Sequence, residues 1–267
     1  MTELPLGKDA SYPDRYAPET LCRIERAANR RKIGLGDPLP FTGVDIWNAW
    51  DLTWLGAQGQ PQSATAEIRI PADSPAIVES KSMKLYLGSF AMSEQASVDA
   101  VRDLIATDLG ECVGAAVSVR VDATQDRGLQ RFPGESLDAL SVPCSDWQVD
   151  PGLLAADAGT VVSEELHTDA LRSLCPVTRQ PDLGSVLVCY EGPRIDRAAL
   201  LRYIVSYRCH QDFHENCVER MFVDILEHCA PEKLSVYARY QRRGGIDINP
   251  FRSNFEKISP NLRLWRQ

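Results

Sequence analysis

KLSVYARYQRRGGIDINPF, residues 233–251, is the stretch on which the reading of the fold turns. It reads as a strand, a Gly-Gly turn and a second strand. Gly244 and Gly245 let the backbone approach a ligand closely, and Arg242 and Arg243 beside them suit a phosphate. As an isolated feature, the same segment is an ordinary hairpin with surface arginines. Upstream, Asp196 opens a long amphipathic helix or helix pair through residues 195–229, preceded by SVLVCYEG (185–192) as a strand. Before that, VVSEELHTDALRSL (161–174) is expected to be helical.

A similar order stands in the first half. In ATAEIRI (64–70), Ala66, Ile68 and Ile70 alternate with polar residues as in a half-buried strand, and KLYLGSF (84–90) is a second strand candidate. A helix is expected from about Ser93 through Cys112, and AAVSVRVD (115–122) alternates again as a strand. Strands, helix and strands, twice over, predict two related α+β halves. The expected division is an N-terminal arm (1–60), a first half (61–125), a connector (126–160) and a second half (161–267). The arm carries Trp47, Trp50 and Trp54, whose spacing is helix-like although WDLTW also suits a strand edge; they read as an aromatic anchor on the core.

At 267 residues the chain is long enough to bury a sizeable core, as one large domain or two smaller ones. The formal charge of -8 argues against a general nucleic-acid binder. No apolar run approaches the length of a membrane span, and the start, MTELPLGKDASYPDRY, has no signal-peptide core. The cysteines at 22, 112, 144, 175, 189, 209, 217 and 229 include no CxxC pair, so reduced thiols and a cytoplasmic protein are expected.

Three stretches carry candidate chemistry. In SLCPVTRQPDLGS (173–185), Pro176 and Pro181 place Cys175 and Asp182 on a stiff, irregular segment. A cysteine by itself is most often a small buried hydrophobe; in this setting it suits a nucleophile, with Asp182 to carry its proton. ESKSMKLYL (79–87) packs a glutamate, two serines and two lysines just ahead of the expected strand. Such a run is ordinarily a solvated strand entry, yet a carboxylate can clamp the N–H edge of a guanine-like base while Lys81 and Lys84 meet phosphate. In HQDFHENCVER (210–220), His210 and His214 are four apart with Cys217 beyond, which raises a metal site. The HExxH order is absent, and the more economical reading pairs His214 with Glu215, leaving Glu219 and Arg220 as surface or intersubunit charges. No GxGxxG or GxxxxGK[ST] device is present.

Taken together, FTGVDIWNAWDLTWL, ESKSMKLYL, CPVTRQPDLGS, FHENCVERMF and KLSVYARYQRRGGIDINPFRS, in that order, closely resemble one family. It is the NADPH-dependent 7-cyano-7-deazaguanine reductases, the nitrile reductases of queuosine biosynthesis, in the long form that fuses two tunnelling-fold (T-fold) halves. Leu183, after the aspartate, departs from relatives that often carry an aromatic there. The resemblance implies an α+β fold of tandem T-fold halves, with antiparallel sheets and helices packed on one face. It implies a four-electron reduction of the nitrile of 7-cyano-7-deazaguanine to 7-aminomethyl-7-deazaguanine with two NADPH. Cys175 would form a covalent thioimide and Asp182 would donate the proton. Val78, Glu79, Ser80, His214 and Glu215 would hold the base; Ser80, Lys81, Arg243 and Gly244 would hold NADPH. Phe213 and Phe90 are candidates to stack on the base. No metal, no direct nucleic-acid partner and no membrane are implied, and a homodimer is. Two rival readings stand beside it: a zinc-dependent cyclohydrolase-like T-fold enzyme using Cys175, His210 or His214 and a further cysteine, and a non-catalytic purine-binding protein.

Overall fold

The computed structural model describes residues 12–122, 128–257 and 260–267; the opening residues 1–11, where no export leader is expected, and the start of the connector at 126–127 lie outside the described residues. In chain order the elements are β1 (Arg23–Glu25), α1 (Arg26–Lys32), β2 (Thr42–Leu55), β3 (Pro61–Pro71), β4 (Ala76–Val78), α2 (Ser80–Gly88), α3 (Val98–Val113) and β5 (Ser118–Asp122). They continue with β6 (Glu135–Ser136), β7 (Ala156–Leu174), β8 (Pro181–Ile195), α4 (Arg197–Ser206), α5 (His214–Cys229), β9 (Lys233–Tyr240) and β10 (Ile246–Ser253). Eight strands form one sheet in the order β5-β3-β2-β10-β9-β8-β7-β6, antiparallel apart from the β6–β7 pair. β1 and β4 form a separate antiparallel pair.

The expected α+β architecture is present, and β2, from the segment expected as an arm, joins the sheet between β3 and β10, paired with β10 from Ile246 opposite Ala49 to Ser253 opposite Thr42. Alternate residues of a strand face opposite ways, which sorts the apolar side chains into two layers. Trp47, Ala49, Ile68, Ile70, Ile246 and Ile248 pack against α2 and α3. Val186, Val188, Leu234, Val236 and Ala238 pack against α4 and α5. Their odd-phase neighbours Leu187, Tyr237 and Phe251 are buried on the opposite side, under Phe132 and Leu264. The Trp-rich segment is therefore strand, with Trp47 and Trp54 buried in β2.

Three expectations are corrected. KLYLGSF is not a strand: its first residues complete α2, whose first turn is capped by the Glu79 carboxylate accepting from the Lys81 and Ser82 N–H groups at 2.9 and 2.8 Å. Met83, Tyr86 and Leu87 form its buried face. VVSEELHTDALRSL is not a helix but the inner part of β7, because pairing with β8 along nearly its whole length outweighs the helix propensity of Glu, Leu and Ala. The next helix, α3, starts at Val98, with Ser97 rather than Ser93 accepting from the Ala100 N–H. Val101, Ile105, Leu109 and Val113 then line its buried face at four-residue steps. Asp196 does cap a helix pair, α4 and α5, separated by a short 3₁₀ turn.

Candidate active site

A cavity, open in part to solvent, lies where the two halves meet. Val78, Ser80 and Lys84 line it from the first half; Cys175, Asp182, Phe213, His214, Glu215 and Arg243 line it from the second. All come from one chain.

Cys175 sits at the turn between β7 and β8. Its N–H donates to the Gln180 carbonyl and its carbonyl accepts from the Arg179 N–H, both at 2.9 Å. The loop is therefore held by its own backbone, with Arg179 in the left-handed region at φ 59°. The flanking prolines predict Asp182 on that loop with Cys175, but it is not there. It is the second residue of β8 and 3% exposed. Its carboxylate accepts from Arg243, and one oxygen lies 3.3 Å from His214 Nε2. Burial pushes the Asp182 carboxyl up, but His214 and Arg243 outweigh it and hold the group below the usual range. The His214 ring stacks on Tyr240 at 3.7 Å with the planes 3° apart, which fixes the direction of Nε2.

Glu215 is 2% exposed at the start of α5. Burial, reinforced by the charge of Asp45, pushes its carboxyl up to about 8, against the opposing pull of Arg26 and Arg252. One turn along the helix, Glu219 is 1% exposed, so it is not the surface charge expected. It pairs with Arg30 at 2.7 Å and Arg252 at 2.9 Å. Arg220 is half-buried and lies 3.5 Å from Asp224.

Other residues do not join the cavity as expected. Glu79 is half-buried and turned into the cap of α2, flanked by Val78 and Ser80, which do line the wall. Lys81 is exposed and off the wall, whereas Lys84 is on it. Helical geometry accounts for this: Ser80 and Lys84 are one turn apart on one face, and Lys81 is on another. Among the described residues Lys84 makes no ion pair, and burial lowers its pKa, helped by nearby Arg243. Arg243 is already occupied by Asp182 and Gln180. Gly244 has φ 59°, and a β-carbon there would come 3.1 Å from Lys84 Cδ, so the turn makes room for that side chain. Phe90 is fully buried against Tyr16 and Tyr86, away from the cavity, while Phe213 is on its wall.

His210 precedes α5 and lies 3.7 Å from Asp212, so it shares no helical face with His214. Among the described residues no group of three His, Cys, Asp or Glu side chains is placed to hold a metal ion. No described helix is long and apolar enough to cross a membrane. The residues that sequence reasoning missed are Asp212, Gln241 and the buried charges behind Glu215. Only the four-residue step from Glu215 to Glu219 hinted at the last.

The cavity combines a thiol, a carboxylate held ionised by two partners, and an unpaired lysine. A family model described as nitrile reductase, 7-cyano-7-deazaguanine reductase N-terminal, matches residues 12–121, and one described as QueF-like protein matches residues 181–259. Among curated proteins, the NADPH-dependent 7-cyano-7-deazaguanine reductase of Burkholderia vietnamiensis is 53% identical over 268 residues, covering 98% of each chain. Those of Burkholderia multivorans and Paraburkholderia xenovorans are equally similar, at 53% identity and the same coverage.

Proposed function

This chain belongs to the NADPH-dependent 7-cyano-7-deazaguanine reductases, and from that premise we propose how its residues divide the work. The protein is an oxidoreductase that reduces the nitrile of 7-cyano-7-deazaguanine with NADPH in queuosine biosynthesis. The reading of the site is that Cys175 attacks the nitrile carbon and Asp182 moves the proton. What supports it most is the shared cavity, which brings Cys175 and Asp182 together with Val78, Ser80 and Lys84 of the other half.

A nitrile carbon is a poor hydride acceptor, and covalent addition of a thiol turns it into a better one. Asp182, ionised under the influence of His214 and Arg243, takes the thiol proton as the S–C bond forms. It then gives that proton to the nitrogen, where one C≡N bonding pair has become a lone pair. The product of this step is a thioimide. NADPH, when bound, supplies a hydride for each of the two reductions. Between them the Cys175 S–C bond breaks, and Asp182 again serves the nitrogen. The apolar wall of Val78, Phe213, Ile246 and Ile248 limits the water beside the imine.

Glu215 and His214, with Val78, Glu79 and Ser80, hold the base. The Glu79 carboxylate must leave part of its helix cap to do so. For NADPH, Ser80, Arg243 and the Gly244 turn remain candidates, and Lys84, a wall cation with no ion pair among the described residues, is available to phosphate. Lys81 would act only at the rim. We also propose a cytoplasmic homodimer without direct nucleic-acid contact.

The test is direct: NADPH absorbance should fall only when 7-cyano-7-deazaguanine is present. Without NADPH, the nitrile should add its whole mass to Cys175. An adduct on another cysteine would end the assignment.

A further inference from the structure

Behind Glu215 lies a set of charges that the reaction itself does not use. Arg26 of α1, Asp45 of β2, Glu219 of α5 and Arg252 of β10 are each no more than 2% exposed. Asp45 lies 2.5 Å from Arg26 and 2.8 Å from Arg252. Glu219 lies 2.9 Å from Arg252 and 3.6 Å from Arg26. Ions this deep cost a great deal of hydration. Glu219 is one helical turn from Glu215, so the network reaches the wall of the cavity through α5.

We propose that Arg26 and Arg252, locked by Asp45 and Glu219, are positioning residues that decide whether Glu215 meets the bound base as carboxylate or carboxylic acid. The inference rests on the reading of Glu215 as acceptor for the N–H edge of the base. A carboxylate offers two oxygens to such an edge, whereas a carboxylic acid turns an O–H toward a donor and loses one contact. From α1 and β10, Arg26 and Arg252 favour the carboxylate; from β2, Asp45 opposes it. On α5 itself, Glu219 is neutralised by Arg30 and Arg252. Across the cavity stand Asp182 with Arg243 and His214, together with Lys84 and Asp212. Burial pushes the Glu215 carboxyl up to about 8 in the free protein, which favours its acid form at neutral pH. Binding of the base then expels its proton to solvent.

Calorimetric titration with 7-cyano-7-deazaguanine, without NADPH, reads this out. Repeating it in buffers of different ionisation heat counts the protons released. Wild type should release a proton at neutral pH and bind more tightly as pH rises through the Glu215 titration, by up to roughly tenfold per pH unit. Arg26→Met should move that midpoint up by about one pH unit, and Asp45→Asn should move it down by a similar amount. Arg26→Lys, which keeps the charge, should leave it near wild type. A purely structural role would weaken all variants without opposite displacements. Asp45→Asn leaves two arginines underpaired; if circular dichroism shows that it does not fold, the contrast between Arg26→Met and Arg26→Lys decides alone. Midpoints that do not move, or move together, overturn the inference. Should Glu215→Gln bind the base as wild type does, the acceptor reading has failed instead.

Discussion

The two walls of the cavity are built in different ways. On the first-half wall, Val78 ends a strand, and Ser80 and Lys84 share one face of α2, whose start is fixed by the Glu79 cap. On the second-half wall, Asp182 touches Arg243 and His214, His214 stacks on Tyr240, and Glu215 stands one helical turn from Glu219, a member of a buried ion network. Backbone and apolar contacts set the first wall, while interacting titratable groups set the second. One sheet running through β2 and β10 holds the walls in register. The comparison teaches a division of labour: one half presents surfaces for holding, the other carries groups that change protonation state.

The largest effect should come from the second wall. Cys175→Ala is expected to remove turnover, followed by NADPH absorbance, while calorimetry still shows the base bound. Retained turnover would move the chemistry off this loop. Asp182→Asn comes next, slowing adduct formation in single-turnover mixing by roughly 10²–10⁴-fold. Because the folded-state pKa of Asp182 is lowered, its carboxylate function should persist at neutral pH and fade only as pH drops through that depressed value. An adduct rate that already declines above the ordinary carboxylate range would assign that step to another group.

The first wall should respond in binding rather than chemistry. Lys84→Ala should raise the KM for NADPH and erode its preference over NADH, with each charge-assisted contact worth on the order of 1.5–3 kcal/mol. Lys81→Ala should do less, since Lys81 is exposed. Equal effects from both would erase the distinction drawn along α2. Arg243→Ala should act on both walls, harming NADPH binding and the Asp182 step together.

A smaller effect concerns stability. The raised pKa of Glu215 makes its contribution greatest below the unfolded-state value and progressively lost as pH rises toward 8. Glu215→Gln should therefore unfold at higher denaturant than wild type at alkaline pH, by on the order of 1–2 kcal/mol, with little difference in acid. A destabilised variant at alkaline pH would show that the carboxylate is better satisfied than its burial implies. Exhaustive chelation should leave activity unchanged; loss restored by zinc would favour a metal-dependent T-fold reaction.

Much of this was readable in the chain, for identifiable reasons. The hairpin at 233–251 and the Asp196 cap are local signals, and the structure carries them as β9, β10 and the start of α4. ESKSMKLYL misled as strand because the Glu79 cap is easily taken for a polar strand entry. That error hid the shared face of Ser80 and Lys84. VVSEELHTDALRSL misled in the opposite direction, since only its pairing with β8 reveals a strand. The ion network was not legible because its partners lie far apart in sequence: Arg30 and Glu219, for example, are separated by 189 positions. No local pattern reports such a meeting.

The most direct test of this division of labour is mass analysis of protein mixed with 7-cyano-7-deazaguanine in the absence of NADPH. The account predicts an increase equal to the whole nitrile, mapped to the peptide containing Cys175. It should persist, formed more slowly, in Asp182→Asn, and form at close to the wild-type rate in Lys84→Ala. An adduct on any other cysteine, or none at all while NADPH-dependent turnover proceeds, would contradict it.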